Sequence, residues 1–184
     1  MRRTLVGLAG ILLVAACSKP PTAPPAANAA PPTTAPQPAT AQATPAFTAG
    51  PAVSGTYLAD GKPATLTQVT AHKDDPFDGK PIVALVFTAK DQGGDDKAAM
   101  NATFGQFGDA IVARVEPDGT VIGAELVHSG LKAPGGSVSV SGVLTMKDYS
   151  DAGGEISGHL TTSGPTDVFD KKADVDLTFH TKAP

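Results

Sequence analysis

Alternation of apolar and polar residues, which recurs in segments from position 53 onward, limits the folds that this chain can adopt. Val175, Leu177 and Phe179, for example, alternate with Asp174 and Asp176. A period of two gives each strand one apolar and one solvated face, which is typical of antiparallel sheets. Glycine- and aspartate-rich turns separate these segments. Residues 53–184 are therefore predicted to be all-β, as an antiparallel β-sandwich or small barrel of about eight strands.

The positions of the turns divide this region into elements. Strands are expected near 54–58, 63–71, 81–89, 109–116, 120–128, 137–147, 154–162 and 173–181. The run 82–87 is apolar throughout, which indicates a strand buried on both faces. Glu116-Pro117-Asp118-Gly119 predicts a hairpin turn, because proline sets φ and glycine supplies a positive φ. At most one short helix is expected, over 95–103, with Asp95 as its cap.

The charges are distributed unevenly along the chain. Arg2, Arg3 and Lys19 are the only charged residues before position 53, so residues 53–184 carry a formal net charge of −7 with Arg114 as their single arginine. Nucleic-acid binding depends on clustered lysine and arginine, which release counterions from phosphates. The predicted β domain is therefore not expected to bind nucleic acid.

The first sixteen residues have the organisation of a secretory signal peptide. Met1-Arg2-Arg3 is a short basic segment, and residues 5–16 are uncharged and mostly apolar. Twelve helical residues cover about 18 Å, which is well short of the ~30 Å hydrocarbon core of a bilayer. The segment is thus expected to be a leader rather than a stable membrane span.

The end of this leader resembles the lipobox of bacterial lipoproteins. Val14-Ala15-Ala16 precedes Cys17, the only cysteine of the chain. The resemblance implies cleavage before Cys17, a diacylglycerol thioether on its sulfur and usually an N-acyl chain such as palmitate. Ser18, rather than an aspartate, follows the cysteine, which in this family implies sorting to the outer membrane; we expect the protein to face the periplasm. The alternative is an ordinary cleaved signal peptide in which the cysteine is incidental.

A segment rich in Pro, Ala and Thr connects the leader to the β domain. Residues 20–52 contain ten prolines, twelve alanines and six threonines, and none of them is charged. Frequent proline excludes regular helix and sheet, and few bulky side chains are present to offset the entropy of ordering. The expected organisation is a signal peptide at 1–16, a lipidated cysteine with a disordered tether at 17–52, and the β domain at 53–184.

Two groups of residues in the β domain are candidates for binding ions. Loop aspartates with glycines can supply the oxygen ligands that Ca²⁺ prefers. The aspartates concerned are Asp74, Asp75, Asp78, Asp91, Asp95 and Asp96. His159 and His180 lie on the predicted outer faces of strands and are weak candidates for a transition-metal site. Apart from calcium, no cofactor is expected.

No catalytic motif is recognised, so no catalytic residue is assigned. Ser129-Gly130-Leu131-Lys132 fits an SxxK pattern, but glycine and proline make a helix improbable there, and that chemistry needs one. The preferred interpretation is a membrane-anchored binding module for an envelope protein, with an inhibitor-like role included. Two alternatives stay open: a periplasmic hydrolase whose carboxylates and histidines meet only in the fold, and a calcium-binding structural module.

Replacing the cysteine tests the lipid anchor. Several acyl chains give firm anchoring, at about 0.8 kcal/mol for each buried CH₂. We expect Cys17→Ser to move the protein from the membrane fraction to the soluble fraction in envelope fractionation, with mass spectrometry showing that the wild type begins at an acylated Cys17. Unchanged membrane association of Cys17→Ser, or a wild-type N-terminus well beyond residue 17, would contradict the assignment.

Overall fold

A computed structural model describes residues 52–131 and 136–184. The leader, Cys17, the tether up to Pro51 and Lys132 lie outside this described part. The described residues form eleven strands and one short helix. The elements are β1 (Val53–Ala59), β2 (Lys62–Ala64), β3 (Gln68–Phe77), β4 (Lys80–Thr88), α1 (Ala98–Thr103), β5 (Ala110–Val115), β6 (Val121–Val127), β7 (Val138–Val140), β8 (Thr145–Ala152), β9 (Glu155–Thr161), β10 (Thr166–Val168) and β11 (Lys171–Lys182).

The strands are arranged in two antiparallel sheets. Sheet A has the order β2-β1-β11-β9-β8, with β10 also paired to β11, and sheet B has the order β3-β4-β5-β6-β7. Side chains from the two facing sheets form a single large hydrophobic cluster. This arrangement confirms the predicted all-β fold and identifies it as a sandwich.

The core between the sheets is built from the inward phase of each strand. Val175, Leu177 and Phe179 on β11 are buried, as are Leu85 and Phe87 on β4. The rings of Phe87 and Phe179 meet edge to face, with their centroids 5.1 Å apart. Such a pair contributes about 0.5–1.5 kcal/mol beyond the area it buries, and it joins the two sheets near the middle of the sandwich.

Two of the predicted strands each prove to be two strands. The segment 137–147 divides into β7 in sheet B and β8 in sheet A, and 63–71 divides into β2 in sheet A and β3 in sheet B. In both cases the chain crosses from one sheet to the other. Val138 and Leu144 nevertheless point into the same core, so the alternation continues across the crossing. Periodicity reports which side chains face inward and not which sheet carries them.

The predicted hairpin at 116–119 is present between β5 and β6. The Gly119 N–H donates to the Glu116 carbonyl at 2.9 Å, and Gly119 has a φ of 88°. The Asp118 Oδ1 accepts the Thr120 N–H at 2.9 Å. Proline, aspartate and glycine therefore have the roles in this turn that their backbone preferences predict.

The single helix of the described residues is shorter than the sequence suggests. It begins at Ala98 rather than at position 95, and its N-cap residue, Lys97, makes no capping hydrogen bond through its side chain. Asp95 is therefore not the cap. Its Oδ1 accepts the Lys97 N–H at 2.9 Å and its Oδ2 accepts from Asn101 Nδ2 at 2.6 Å, which makes a turn before the helix. No helix in 52–131 or 136–184 has the length and apolar character needed to cross a membrane.

Helix α1 packs on the outer face of sheet B, away from sheet A. Ala98 and Ala102 of the helix are fully buried. Ala102 belongs to a second hydrophobic cluster with Val86 on β4 and Val112 on β5. The apolar run 82–87 is thus buried on both faces, as predicted, because β4 packs against sheet A on one side and against α1 on the other.

The free edges of both sheets are poorly suited to pair with another strand. The edge strand β3 contains Pro76 and an irregular register between Asp74 and Phe77. The edge strand β8 has a similar irregularity, where Asp148 adopts a φ of 51°. The opposite edges, β2 and β7, are only three residues long. Short, bulged or proline-containing edges discourage edge-to-edge association.

One glycine in the core sheet cannot accept a side chain. Gly55 on β1 has a φ of 124°, and a Cβ there would lie 2.0 Å from the Asp176 carbonyl oxygen. We expect Gly55→Ala to lower the free energy of unfolding by about 3 kcal/mol or more, because strand β1 must move away from β11. Gly154→Ala is the control, since Gly154 has a φ of 79° but open space around it, and about 1 kcal/mol is expected. Urea unfolding followed by circular dichroism measures both, and equal losses would contradict this explanation.

A buried histidine lies where β6 ends beside β1. His128 is 4% exposed, and its ring meets the Tyr57 ring edge to face at 4.7 Å. Its Nδ1 accepts the Gly130 N–H at 2.8 Å, whereas Nε2 is buried without a hydrogen-bond partner among the described residues. Burial lowers the pKa of His128, and the nearby Asp109 carboxylate opposes this only in part. Burial therefore favours the neutral form of this ring.

This histidine is expected to make stability depend on pH. Well above pH 6.5, the ordinary histidine pKa, His128 is neutral in both states and contributes nothing to the dependence. Below that pH the unfolded chain binds a proton that the folded protein does not. The free energy of unfolding then falls, by at most about 1.4 kcal/mol for each pH unit, until the pH passes the lowered folded pKa.

A non-titrating variant isolates this contribution. His128→Asn keeps an acceptor for the Gly130 N–H. We expect the loss of stability between pH 7 and pH 5, measured by urea unfolding, to be smaller in His128→Asn than in the wild type. An identical pH dependence in the two proteins would contradict the assignment.

Candidate functional site

A groove beside α1 combines charged, hydroxyl and apolar side chains. Two adjoining cavities of about 470 and 350 Å³ lie against the outer face of sheet B, and both are lined by Asp74, Ala99 and Met100. We call the pair the α1 groove. Its remaining lining residues are His72, Lys73, Ala84, Asp96, Lys97, Thr103, Phe104, Arg114, Glu125, Ser137 and Ser139.

Strand register explains why these residues share a surface. His72, Ala84, Arg114 and Gly123 are consecutive partners across β3, β4, β5 and β6. Residues two apart on a strand share a face, so Asp74 and Glu125 extend the row, and Ser139 pairs with Glu125. Ala84 and Gly123 are small and alternate with the longer side chains. The result is a polar row running across sheet B, with α1 as its wall.

An ion pair occupies the middle of the row. Arg114 Nε donates to Asp74 Oδ2 at 2.8 Å, and the two side chains are 41% and 30% exposed. The terminal nitrogens, Nη1 and Nη2, have no hydrogen-bond partner among the residues that the structure describes. Because a guanidinium is planar and always charged, fixing Nε orients the two free nitrogens. Arg114 therefore presents a positioned pair of donors beside α1.

Hydroxyl groups surround the carboxylate of Glu125 at the β6–β7 side of the groove. Ser137 Oγ donates to Glu125 Oε2 at 2.9 Å, and Ser139 Oγ donates to Glu125 Oε1. Both carboxylate oxygens thus accept a hydrogen bond, one from Ser139 on β7 and one from Ser137, which directly precedes β7. This carboxylate is held in place and still has lone pairs for a further donor.

A chain of side-chain hydrogen bonds fixes the ring of His72. Gln92 is 5% exposed, and its Nε2 donates to the Val86 carbonyl at 3.1 Å and to Thr88 Oγ1 at 3.0 Å. A carbonyl only accepts, so the amide orientation of Gln92 is determined. Its Oε1 must then accept the Thr70 hydroxyl proton, over 2.6 Å.

The donor and acceptor roles in these hydrogen bonds determine the tautomer of the His72 ring. Because Thr70 Oγ1 gives its only proton to Gln92, it must accept from His72 Nε2, which lies 2.7 Å away. The neutral ring of His72 therefore carries its proton on Nε2, which leaves Nδ1 as an acceptor. Nδ1 has no hydrogen-bond partner among the described residues.

The six aspartates predicted to bind a cation are spread over three segments. Asp74 pairs with Arg114, and the Asp75 N–H donates to the Asp74 carboxylate. Asp78 has a φ of 50° in the turn between β3 and β4. Asp91 accepts the Gly93 N–H, and Asp95 accepts from Lys97 and Asn101, which lowers the pKa of its carboxyl.

The structure does not bring these aspartates together. Asp96 lines the smaller cavity of the α1 groove with Asp74. In 52–131 and 136–184 no three His, Cys, Asp or Glu side chains lie close enough to hold a metal ion. Calcium binding by these residues stays a prediction that rests on the sequence.

The two predicted metal-site histidines lie on neighbouring strands of sheet A. His159 pairs with Thr178 and His180 pairs with Ser157 in the register of β9 and β11. His159 Nε2 lies 3.0 Å from Asp176 Oδ1. The ring of His159 thus has a carboxylate partner on β11.

Sequence reasoning did not identify the residues of the α1 groove as a group. Arg114 is the single arginine of the domain and lies on the outward phase of β5, between the inward Ala113 and Val115. A lone arginine on a largely apolar strand was the one sequence feature that could have indicated a functional position here. Its partner Asp74 is forty positions away, so only the register of β3, β4 and β5 could have joined them.

Comparison with known proteins gives no relative. No family model, no curated protein and no solved structure matches this chain.

The tautomer of His72 can be tested by nuclear magnetic resonance. We expect long-range ¹H–¹⁵N spectra at pH 8 to show His72 with its proton on Nε2 only. Thr70→Val removes the acceptor, so a mixture of tautomers should appear at His72 while His159 stays unchanged. A proton on Nδ1 in the wild type, or an unaltered His72 signal in Thr70→Val, would contradict the hydrogen-bond chain.

Proposed function

We propose that this protein is a binding module of the bacterial cell envelope that captures a protein partner in the α1 groove. The observation that carries the proposal is the combination of oriented polar groups with exposed apolar ones. Arg114, Glu125 and His72 supply a charge, a carboxylate and a ring nitrogen, whereas Met100 and Phe104 beside them are 51% and 64% exposed. Apolar surface rimmed by polar groups is typical of interaction sites.

The state of the groove carboxylates favours binding over hydrolysis. Asp74 is paired with Arg114, and Glu125 accepts from two serines. A general base must be within reach of the proton it abstracts, and a deep pocket with close, buried titratable groups would favour an enzyme. The two cavities are instead open, and the carboxylates of Asp74 and Glu125 in them are already hydrogen-bonded. A hydrolase is therefore the less favoured of the functions considered.

Binding at a face is also supported by the condition of the sheet edges. A partner that added a strand would need a long, regular edge. Pro76 on β3 and the irregular register of β8 interrupt the two longer edges. The outer face of sheet B beside α1 offers a partner both cavities and a mixture of polar and apolar side chains.

We propose further that the module is held at the outer membrane, facing the periplasm, by acyl chains on Cys17. The tether 17–52 would let the domain lie far from the lipid anchor. At about 3.1 Å per residue for an extended proline-rich chain, the 33 residues from 20 to 52 would span about 100 Å. A flexible connection of this kind raises the local concentration of the module near the membrane without fixing its orientation.

Photo-crosslinking in intact cells tests the groove as the binding surface. We expect Phe104→p-benzoylphenylalanine to give discrete crosslinked adducts on irradiation. The matched control is Phe169→p-benzoylphenylalanine, because Phe169 is 81% exposed in the turn between β10 and β11 of sheet A. Adding Arg114→Gln to the first variant should reduce its adducts about tenfold, the effect of losing roughly 1.4 kcal/mol, in the range of a charge-assisted hydrogen bond.

The outcomes are distinct. Adducts at position 104 that depend on Arg114 support binding in the groove, and mass spectrometry of the adduct identifies the partner. Equal adducts at positions 104 and 169, or none at 104, would contradict the proposal.

A further inference from the structure

The two cavities of the α1 groove offer complementary hydrogen-bonding groups on either side of an apolar side chain. Arg114 lines the larger cavity and presents Nη1 and Nη2 as donors. His72 lines the smaller one, and its Nδ1 is an acceptor because Nε2 is committed to Thr70. Met100 lines both cavities and is half exposed. A ligand that satisfies all three needs an anionic acceptor, a donor and an apolar group.

The spacing of these groups limits the size of the ligand portion involved. Arg114 extends from β5 to Asp74 on β3, and Asp74 is two residues from His72 on the same face of that strand. Two residues of strand cover roughly 7 Å, which corresponds to about two residues of extended peptide. The recognised element is therefore short.

We propose that the α1 groove recognises the C-terminal end of a peptide chain with an apolar last residue; this rests on the proposed binding function. The terminal carboxylate accepts from Nη1 and Nη2 of Arg114, which matches the geometry that a guanidinium prefers. The apolar side chain packs on Met100, whose flexible thioether adapts to aliphatic shapes. A backbone N–H nearer the start of the peptide donates to Nδ1 of His72.

The composition of the groove favours a peptide over a sugar acid. A carbohydrate carrying a carboxylate would also satisfy Arg114, but sugars generally pack on the face of an aromatic ring. Phe104 lines the cavity of Arg114, where the carboxylate would bind. The apolar residues of the cavity that contains His72 are Ala84, Ala99 and Met100, and no aromatic side chain other than the histidine lines it. Aliphatic walls suit an aliphatic side chain.

Peptide arrays test this directly with the full chain purified in detergent. The probes are hexapeptides immobilised through their N-termini and randomised at the last three positions, each as the free acid and as the C-terminal amide. We expect binding to free-acid peptides that end in Leu, Ile, Val or Met. Amidation should weaken binding by roughly tenfold or more, because a charge-assisted pair is lost.

Matched variants distinguish the named contacts from general damage. Arg114→Gln should abolish the difference between acid and amide, and Arg114→Lys should restore only part of it, because lysine keeps the charge but not the fork. His72→Asn keeps an acceptor near Nδ1 and should bind more tightly than His72→Phe. Lys172→Gln on sheet A is the control and should bind as the wild type does. Thermal melts check that every variant is folded.

Three results would overturn the inference. They are equal binding of acids and amides, no binding to any peptide of the array, and displacement of bound peptide by glucuronic acid at the concentration at which acetyl-leucine displaces it. Arg114-dependent crosslinking at position 104 together with any of these would leave the proposed binding function standing and remove only the peptide terminus as its target.

Discussion

Burial of β4 and β5 on both faces is the constraint on which the rest of the domain depends. Leu85 and Phe87 pack against sheet A, and Ala84 and Val86 lie on the opposite face. Chain from outside the sheet must cover that second face, and helix α1 does so with six residues. Six helical residues are about 9 Å long, whereas the nine residues of β4 extend about 30 Å. The helix therefore covers only part of the face, and the uncovered part needs polar side chains.

The polar side chains in that uncovered part hold one another in position. His72 donates to Thr70, Thr70 donates to Gln92, and Gln92 donates to a backbone carbonyl. Arg114 is oriented by its hydrogen bond to Asp74. Held side chains lose less conformational entropy when they bind a ligand. The same short helix thus leaves the surface open and contributes its wall, with Met100 and Phe104 exposed along it.

Local signals were sufficient for much of the fold but not for the groove. The β5–β6 hairpin was predictable because Pro117 and Gly119 determine their own backbone angles. The division of 137–147 between two sheets was not, because Val138 and Leu144 both face the same core and preserve the alternation. The predicted helix begins three residues before the observed α1, because Asp95 forms hydrogen bonds in a turn and does not cap the helix.

The groove depends on partners that are distant in sequence. Arg114 and Asp74 are forty positions apart, and Thr70 and Gln92 are twenty-two apart. No residue pattern encodes such a pair without the strand register. The six aspartates predicted to bind calcium are clustered in sequence, yet in the fold they belong to separate turns and contact different partners.

Two methionine methyl groups give the most direct test of the α1 groove as the recognition surface. Met100 lines the groove, whereas Met146 on β8 lines another cavity near the β5–β6 turn. The protein is labelled with ¹³C in its methionine methyl groups, and solubilised envelope from the native host is added. We expect the Met100 signal to shift or broaden and the Met146 signal to stay unchanged. An unchanged Met100 signal, or a change at Met146 alone, would contradict the account.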